Sequence, residues 1–322
     1  MIKSNLQTYT NPDLIKTFEK KVSNKDSNSH FTAILAKSIT RSASKQSYYT
    51  AKYMVDMELV NDFYRAYAYF RWVDDIIDES PMSLEERTLF ILHQRKLIDS
   101  LYNNEKLLEL STGEHIISDL IKHDKEENSK LQSFIRNMFA IVEFDAHRKD
   151  ELISEEQLEW YSNCLAKSVT DGLQYFIGNG HSYPSANNQY KAAKAAHIMH
   201  LLRDMITDLA NGFINIPREY LEANDLNPTQ MKHPAMRLWV KGRVNLARQY
   251  FQEGNEYLNG LKVLRCKIVG QWYCARFEKV LKKIEQDDYL LRNSYNERRG
   301  GSGVFKMMRL AFVVSSRHWS SF

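Results

Sequence analysis

Little in this sequence can turn a chain sharply: its 322 residues hold only 12 glycines and 6 prolines. Turn-rich sandwiches and nucleotide-binding parallel sheets need more of both, so their scarcity favours helix. Cysteine is scarcer still. Cys164, Cys266 and Cys274 form no C-x-x-C pair and no disulfide framework, which fits a reducing, intracellular compartment. No stretch approaches the ~18 uninterrupted apolar residues of a membrane-spanning helix. The opening MIKSNLQTYTNPDL lacks the apolar core of a secretory signal, so a cytoplasmic location is expected. An excess of one charge is missing as well. The net charge is +4, and Lys and Arg are scattered instead of alternating with stacking aromatics on one face, so nucleic acid is not an expected partner.

What is present describes a globular chain: 43% apolar and 26% charged residues. The 18 Tyr and 15 Phe suffice to line a large apolar cavity as well as a core. The length is near the upper end of what one hydrophobic core supports, so a single domain is the expectation. Residues 1–29 are polar and read as a loosely ordered lead-in. Helical periods then recur over 30–296. They are punctuated at Ser80-Pro81, Asn103-Asn104, Gly178 to Pro184, Asn211-Gly212 and Asn224 to Pro234, where glycine, proline or asparagine ends a helix. Residues 297–322 read as a Gly-rich hinge followed by VFKMMRLAFVVSSRHWSSF. That tail is too short to span a bilayer. Two readings stand for it: an amphipathic helix making peripheral membrane contact, or a helix capping the core.

Two segments carry chemistry. In YAYFRWVDDIIDES (67–80), Asp74 and Asp78 stand four apart in a helical pattern, so both carboxylates leave one face a turn apart, with Arg71 one turn earlier. Asp75 and Glu79 raise the local count to four acids. Like charges at this spacing oppose helix formation by about 0.2–0.5 kcal/mol per pair. A divalent cation reverses that sign, because hard cations take oxygen ligands. In KAAHIMHLLRDMITDLANG (194–212), Ile198, Leu201, Leu202, Met205, Ile206 and Leu209 mark the packed face. His197, His200, Asp204, Asp208 and Asn211 form the opposite, polar stripe, with Arg203 beside Asp204. Taken singly, each stripe is also what a solvated helix face looks like. Taken together, two D-x-x-x-D pairs facing one another would need counter-charge, which metals supply while bridging to a diphosphate. The arginines suit the same anion through bidentate hydrogen bonds.

With these residues in view, FRWVDDIIDE and LLRDMITDLANGFINIPREYL resemble the two aspartate-rich signatures of the squalene/phytoene synthase family. SKQSYYTAKYM (44–54) is similar to that family's Ser-Lys-Ser-Phe segment. WYSNCLAKSVTDGL (160–173) is similar to its Tyr-Cys-x-x-Val-Ala-Gly-x-Val-Gly helix, and ARFEKVLKKIEQDDYLLR (275–292) to its closing helix. The resemblance implies an all-α bundle of the class I isoprenoid synthase type with a central cavity. It implies a prenyltransferase that joins two farnesyl or two geranylgeranyl diphosphates head to head through a cyclopropyl diphosphate. Mg²⁺ is the implied metal. Asp74, Asp78, Asp204 and Asp208 would be its ligands, Arg71 and Arg203 diphosphate contacts, and Tyr161 an acid or base near the leaving group. Lys45, Ser47 and Tyr48 fall in the segment that helps bind one diphosphate.

Three departures stand out. The family's Gln-x-x-Asn is here His197-Ile-Met-His200, so His200 would join the ligand set, and imidazole suits Mn²⁺ better than Mg²⁺. The other reading has both histidines hydrogen-bonding within the bundle. Lys167 and Thr170 replace family glycines. These changes keep two alternatives open: a terpene cyclase or a prenyltransferase with another acceptor, and a non-catalytic assembly protein of the same fold. A reductive second step would call for NADPH, for which the sequence shows no Gly-rich dinucleotide motif.

Overall fold

A computed structural model describes residues 25–79, 82–107 and 109–295. These residues divide into two compact units, one of residues up to 147 plus 175–179, the other of 148–174 and 180 onward. Among the described residues the regular structure is helical, and a lone parallel bridge between Leu152 and Ile214 is the one β-type pairing. The first helix begins at Lys25, inside the stretch expected as a polar lead-in. The C-terminal tail, with its membrane-contact reading, lies outside the described residues. No helix among the described residues is long and apolar enough to cross a membrane.

The first unit is built on helices α1 (Lys25–Ala43), α2 (Lys45–Met54), α3 (Val60–Glu79), α4 (Leu84–Tyr102), α5 (Thr112–Lys122) and α6 (Lys130–His147). Helix α3 runs through the middle and packs on α1, α2, α5 and α6. Most of it is enclosed: Tyr64, Ala68, Tyr69, Phe70, Trp72, Val73, Ile76 and Ile77 are buried, and so are Asp62, Arg65 and Asp75. Gly113 lies against it, where an added Cβ would stand 2.3 Å from the Trp72 ring. Two buried polar networks fix the register. Arg65 pairs with Asp62 at 2.7 Å, Thr32 donates to Asp119 at 2.8 Å, and His123 meets Asp62 at 2.9 Å. Tyr69 donates to Gln94, and Gln94 to Glu114, which also closes a capping box with Ser111.

The second unit holds most of α7 (Glu155–Phe176), with α8 (Lys191–Ala210), α9 (Arg218–Ala223), α10 (Pro234–Gly260) and α11 (Leu264–Gln286). Helices α8, α10 and α11 pack on one another. At Gly254 the α10 backbone comes so close to α8 that a Cβ would lie 2.3 Å from the Ala192 amide nitrogen. The expected breaks appear where glycine and proline stand. Helix α8 ends at Ala210 ahead of Gly212 at φ 88°, and α10 starts on Pro234 behind the N-cap His233. The segment before α7 is stitched to the segment after α8 by Asp150 N–H donating to Gly212 C=O at 2.7 Å and Arg218 N–H donating to Ile153 C=O at 2.8 Å.

Candidate functional site

In the first unit the candidate residues sit on α2 and the C-terminal half of α3. Ser44 caps α2, its hydroxyl accepting from the Ser47 backbone N–H at 3.1 Å, and the two hydroxyls lie 2.9 Å apart. Tyr48 stacks on Tyr64 at 5.7 Å, and the Arg41 guanidinium lies 5.6 Å from the Tyr48 ring centre. Lys45 is exposed one position after the cap. Tyr67, which the sequence did not single out, joins these segments. Burial raises its phenol, a hydrogen bond with Ser44 opposes that, and the charges of Arg71, Asp74 and Asp75 reach it. Arg71 lies 3.4 Å from Asp74 and pairs more closely with Asp75. The acids therefore differ. Asp75 is buried and serves Arg71, whereas the Asp74 side chain is 52% exposed. Asp78 lies in the last turn of α3, and its side chain is outside the described residues.

In the second unit Asp204 is the best-prepared carboxylate. Arg203 grips both its oxygens, at 2.7 and 2.6 Å, and His200 Nε2 lies 2.9 Å from Oδ2. Burial by itself would raise the Asp204 carboxyl. The hydrogen bonds from Arg203 and His200, with their charges, overcome this and hold it below the usual carboxylate range. Asp208 accepts from Asn215 Nδ2 at 2.9 Å, and Asn215 Oδ1 accepts from Arg148 at 2.9 Å. Arg148 in turn lies 5.1 Å from the centre of the buried Tyr161 ring.

The Tyr161 ring also lies 5.1 Å from the ring of His197, and here the sequence expectation needs correcting. His197 was placed on the polar stripe with His200 and Asp204, yet it is 2% exposed and its Nδ1 has no hydrogen-bond partner. Burial pushes its imidazole down to about 3, and the charges of His200, Arg243, Arg148 and Lys194 push the same way. The first half of α8 is enclosed all round, so a helix-period stripe stops marking solvent there. Lys194 is buried too and pairs with Glu159, while burial lowers Arg243. Arg148, Lys194 and Arg243 thus ring Tyr161 and His197 with positive charge. None of the three was picked out in the sequence. Lys194, one turn before His197 in the Ala-rich start of α8, carried a signal; Arg148 and Arg243, in ordinary charged stretches, carried none.

Comparison with known proteins bears on what these groups do. The family model described as squalene/phytoene synthase matches residues 40–299. The chain belongs to the squalene/phytoene synthase family. Members of this family are prenyl transferases, and head-to-head prenyl condensation is their general reaction. Among solved structures, the squalene synthase HpnC from Alicyclobacillus acidocaldarius superposes with a TM-score of 0.65 at 19% identity, covering 89% of this chain and 100% of that one. A dehydrosqualene synthase in complex with ligand gives 0.67 at 14% identity, covering 93% and 100%. The complex of TcSQS with the ligand BPH1237 gives 0.61 at 12%, covering 90% and 92%. At these identities the likeness establishes the fold. Comparison with curated protein sequences yields no significant match.

The squalene/phytoene synthase family generally binds diphosphate through divalent metal. Among the described residues, no group of three or more His, Cys, Asp or Glu side chains converges as a ligand set. Asp74 lies in the first unit, Asp204 and Asp208 in the second. The donor chemistry fits the metal: the exposed Asp74 carboxylate and the low Asp204 carboxyl carry hard oxygen donors, each beside an arginine.

Proposed function

We propose that this chain condenses two prenyl diphosphates, farnesyl or geranylgeranyl, head to head through a cyclopropyl diphosphate. The observation that carries the reading is the Arg203–Asp204–His200 cluster on α8, inside the stretch matched by the family. Asp74, Asp78, Asp204 and Asp208 would hold Mg²⁺, with Mn²⁺ favoured if His200 also binds. Bound metal would neutralise the diphosphate and polarise its bridging oxygen. Arg71 and Arg203 bind the same phosphates, and Lys45, Ser47 and Tyr48 present a further polar edge for one of them. The Asn215–Arg148 relay orients the Asp208 carboxylate. Tyr161, enclosed beside Arg148 and a neutral His197, would give a proton to, or take one from, departing diphosphate away from bulk water. Residues 30–296 would form the catalytic part. If the product is then reduced, NADPH supplies the hydride.

Purified protein given Mg²⁺ or Mn²⁺ and either diphosphate should release inorganic diphosphate and yield a dimeric hydrocarbon skeleton by mass spectrometry. Neither release nor binding would end the proposal. A second reading, cyclisation or transfer to a different acceptor, draws on Thr170, which lines an apolar cavity where the family carries glycine. Release with only undimerised products would favour it.

A further inference from the structure

We propose that the outer face of α1 and α2, in the first unit, docks on an anionic lipid bilayer without spanning it. The proposal goes beyond the prenyl-diphosphate reading and does not depend on it. Between Asp26 and Asp56 the sequence holds no acidic residue, whereas Lys37, Arg41, Lys45 and Lys52 all fall there. The helices turn these bases outward. Ile34, Lys37 and Arg41 are exposed at helical spacing along α1. On α2 the exposed residues Lys45, Gln46, Tyr49, Lys52 and Tyr53 fall within an arc of about 120°.

The two stripes meet at Tyr48. Its ring stacks on the buried Tyr64, Arg41 lies 5.6 Å from its centre, and Tyr49 packs edge-on at 5.3 Å. Tyr49 stacks in turn on Tyr53 at 6.2 Å, and Lys52 lies 5.1 Å from the Tyr53 ring centre. A row of rings therefore runs from the core to the surface. Its outer end stays in water: Tyr49 is 53% exposed, Tyr53 61%, and Met57, just past α2, 90%.

Charge selects the occupant. Among the described residues none of the four bases enters an ion pair. The acids on neighbouring elements are otherwise engaged. Asp56 is buried and accepts from the Gly178 and Asn179 amides, Asp62 pairs with Arg65, and Asp119 with Lys122. Toward the start of α2, Asp74 and Asp75 lie with Arg71. Glu58, exposed beside Met57, is the one acid at the far edge. Tyrosines standing among lysines suit the boundary between water and acyl chains: the ring enters the headgroup layer while the phenol and the ammonium stay wet. Each Lys or Arg near an anionic bilayer strengthens binding by about fivefold, and salt screens that gain. Independent bases on long stems match mobile lipid headgroups, and Tyr53 and Met57 give the same face something to bury.

The test is co-sedimentation of the full chain with vesicles of phosphatidylcholine mixed with phosphatidylglycerol, against vesicles of phosphatidylcholine alone. The protein should bind the mixed vesicles, release them as salt is raised, and leave the neutral ones unbound. Replacing both Lys37 and Lys52 with glutamine should weaken binding by about tenfold or more. Replacing both Tyr49 and Tyr53 with serine should also weaken it by about tenfold or more, through lost apolar burial. Circular dichroism confirms that each variant folds. On the unmodified chain, mixed vesicles should shield Lys37, Lys45 and Lys52 from acetylation and leave the exposed Lys241 on α10 reactive, read by mass spectrometry. Equal binding to neutral vesicles, or folded variants that bind as the wild type does, overturns the proposal. So does shielding of Lys241 without the other three. If neither variant folds, the acetylation pattern decides. If the chain leaves vesicles unbound and instead self-associates through the two tyrosines, a second copy covers this face and the bilayer does not. Diphosphate release plays no part in these readouts, so their failure leaves the prenyl-diphosphate reading standing.

Discussion

Replacing His197 with glutamine should flatten the acid side of the stability profile. His197 is neutral and fully enclosed, with Tyr161 and Arg148 near it from α7 and its lead-in, Lys194 and His200 from α8, and Arg243 from α10. Its folded pKa of about 3 lies below the ordinary histidine value of 6.5, so between those values the unfolded chain binds the extra proton. Stability from the neutral ring is thus fully present above pH 6.5 and is lost as pH falls toward 3, by about 1.4 kcal/mol per unit. Between pH 7.5 and 4.5 this amounts to about 2.7 kcal/mol. Glutamine, of similar size and without a titration, removes that loss. His115, also lowered chiefly by burial, contributes with the same sign in both proteins and cancels in the difference. Urea unfolding followed by circular dichroism at half-unit pH intervals gives the comparison. If wild type and His197→Gln lose stability in parallel from pH 7 to 4.5, the buried neutral histidine is not the cause.

Asp62→Ala should cost about 3–5 kcal/mol, because it strands the buried Arg65 charge, and thermal melting would show it. Arg203→Gln should lower kcat for diphosphate release by roughly 10²–10³-fold with the fold intact, as expected for loss of one preorganised donor; a change below threefold would remove Arg203 from the site. Chelation with EDTA should abolish release and added Mg²⁺ restore it. Gly254→Ala should destabilise by about 1–3 kcal/mol, since its Cβ would press on α8 backbone that cannot yield like a side-chain tip, and an unchanged melting temperature would contradict that contact.

The helical class was readable because the punctuation was sparse and local. Asn103-Asn104, Gly178, Gly212 and Pro234 end or start helices where the sequence placed breaks. Breaks at a lone serine, asparagine or aspartate were not readable. Ser44 alone separates α1 from α2, and Asn128 and Asp150 turn the chain at φ 54° and 64°. The division into two units was invisible for a similar reason: one boundary falls at a helix end by His147 and another inside α7, with no linker composition at either. Spacing singled out Arg71, Asp74, Arg203, Asp204 and Asp208 because each pair stands on one helix. It misjudged His197, because whether a turn of helix is roofed over depends on its neighbours. Arg148 and Arg243 came from distant segments, so no local pattern could announce them.

The backbone contact at Gly254 bears on how this protein could be re-engineered. Where two helices touch main chain to main chain, neither can roll or slide to accommodate a bulkier neighbour. Libraries aimed at new products should therefore leave the α8–α10 seam untouched. Diversity is better placed on α7 and α11, at positions such as Thr170, Leu173 and Tyr273, where side chains alone define the shape to be altered.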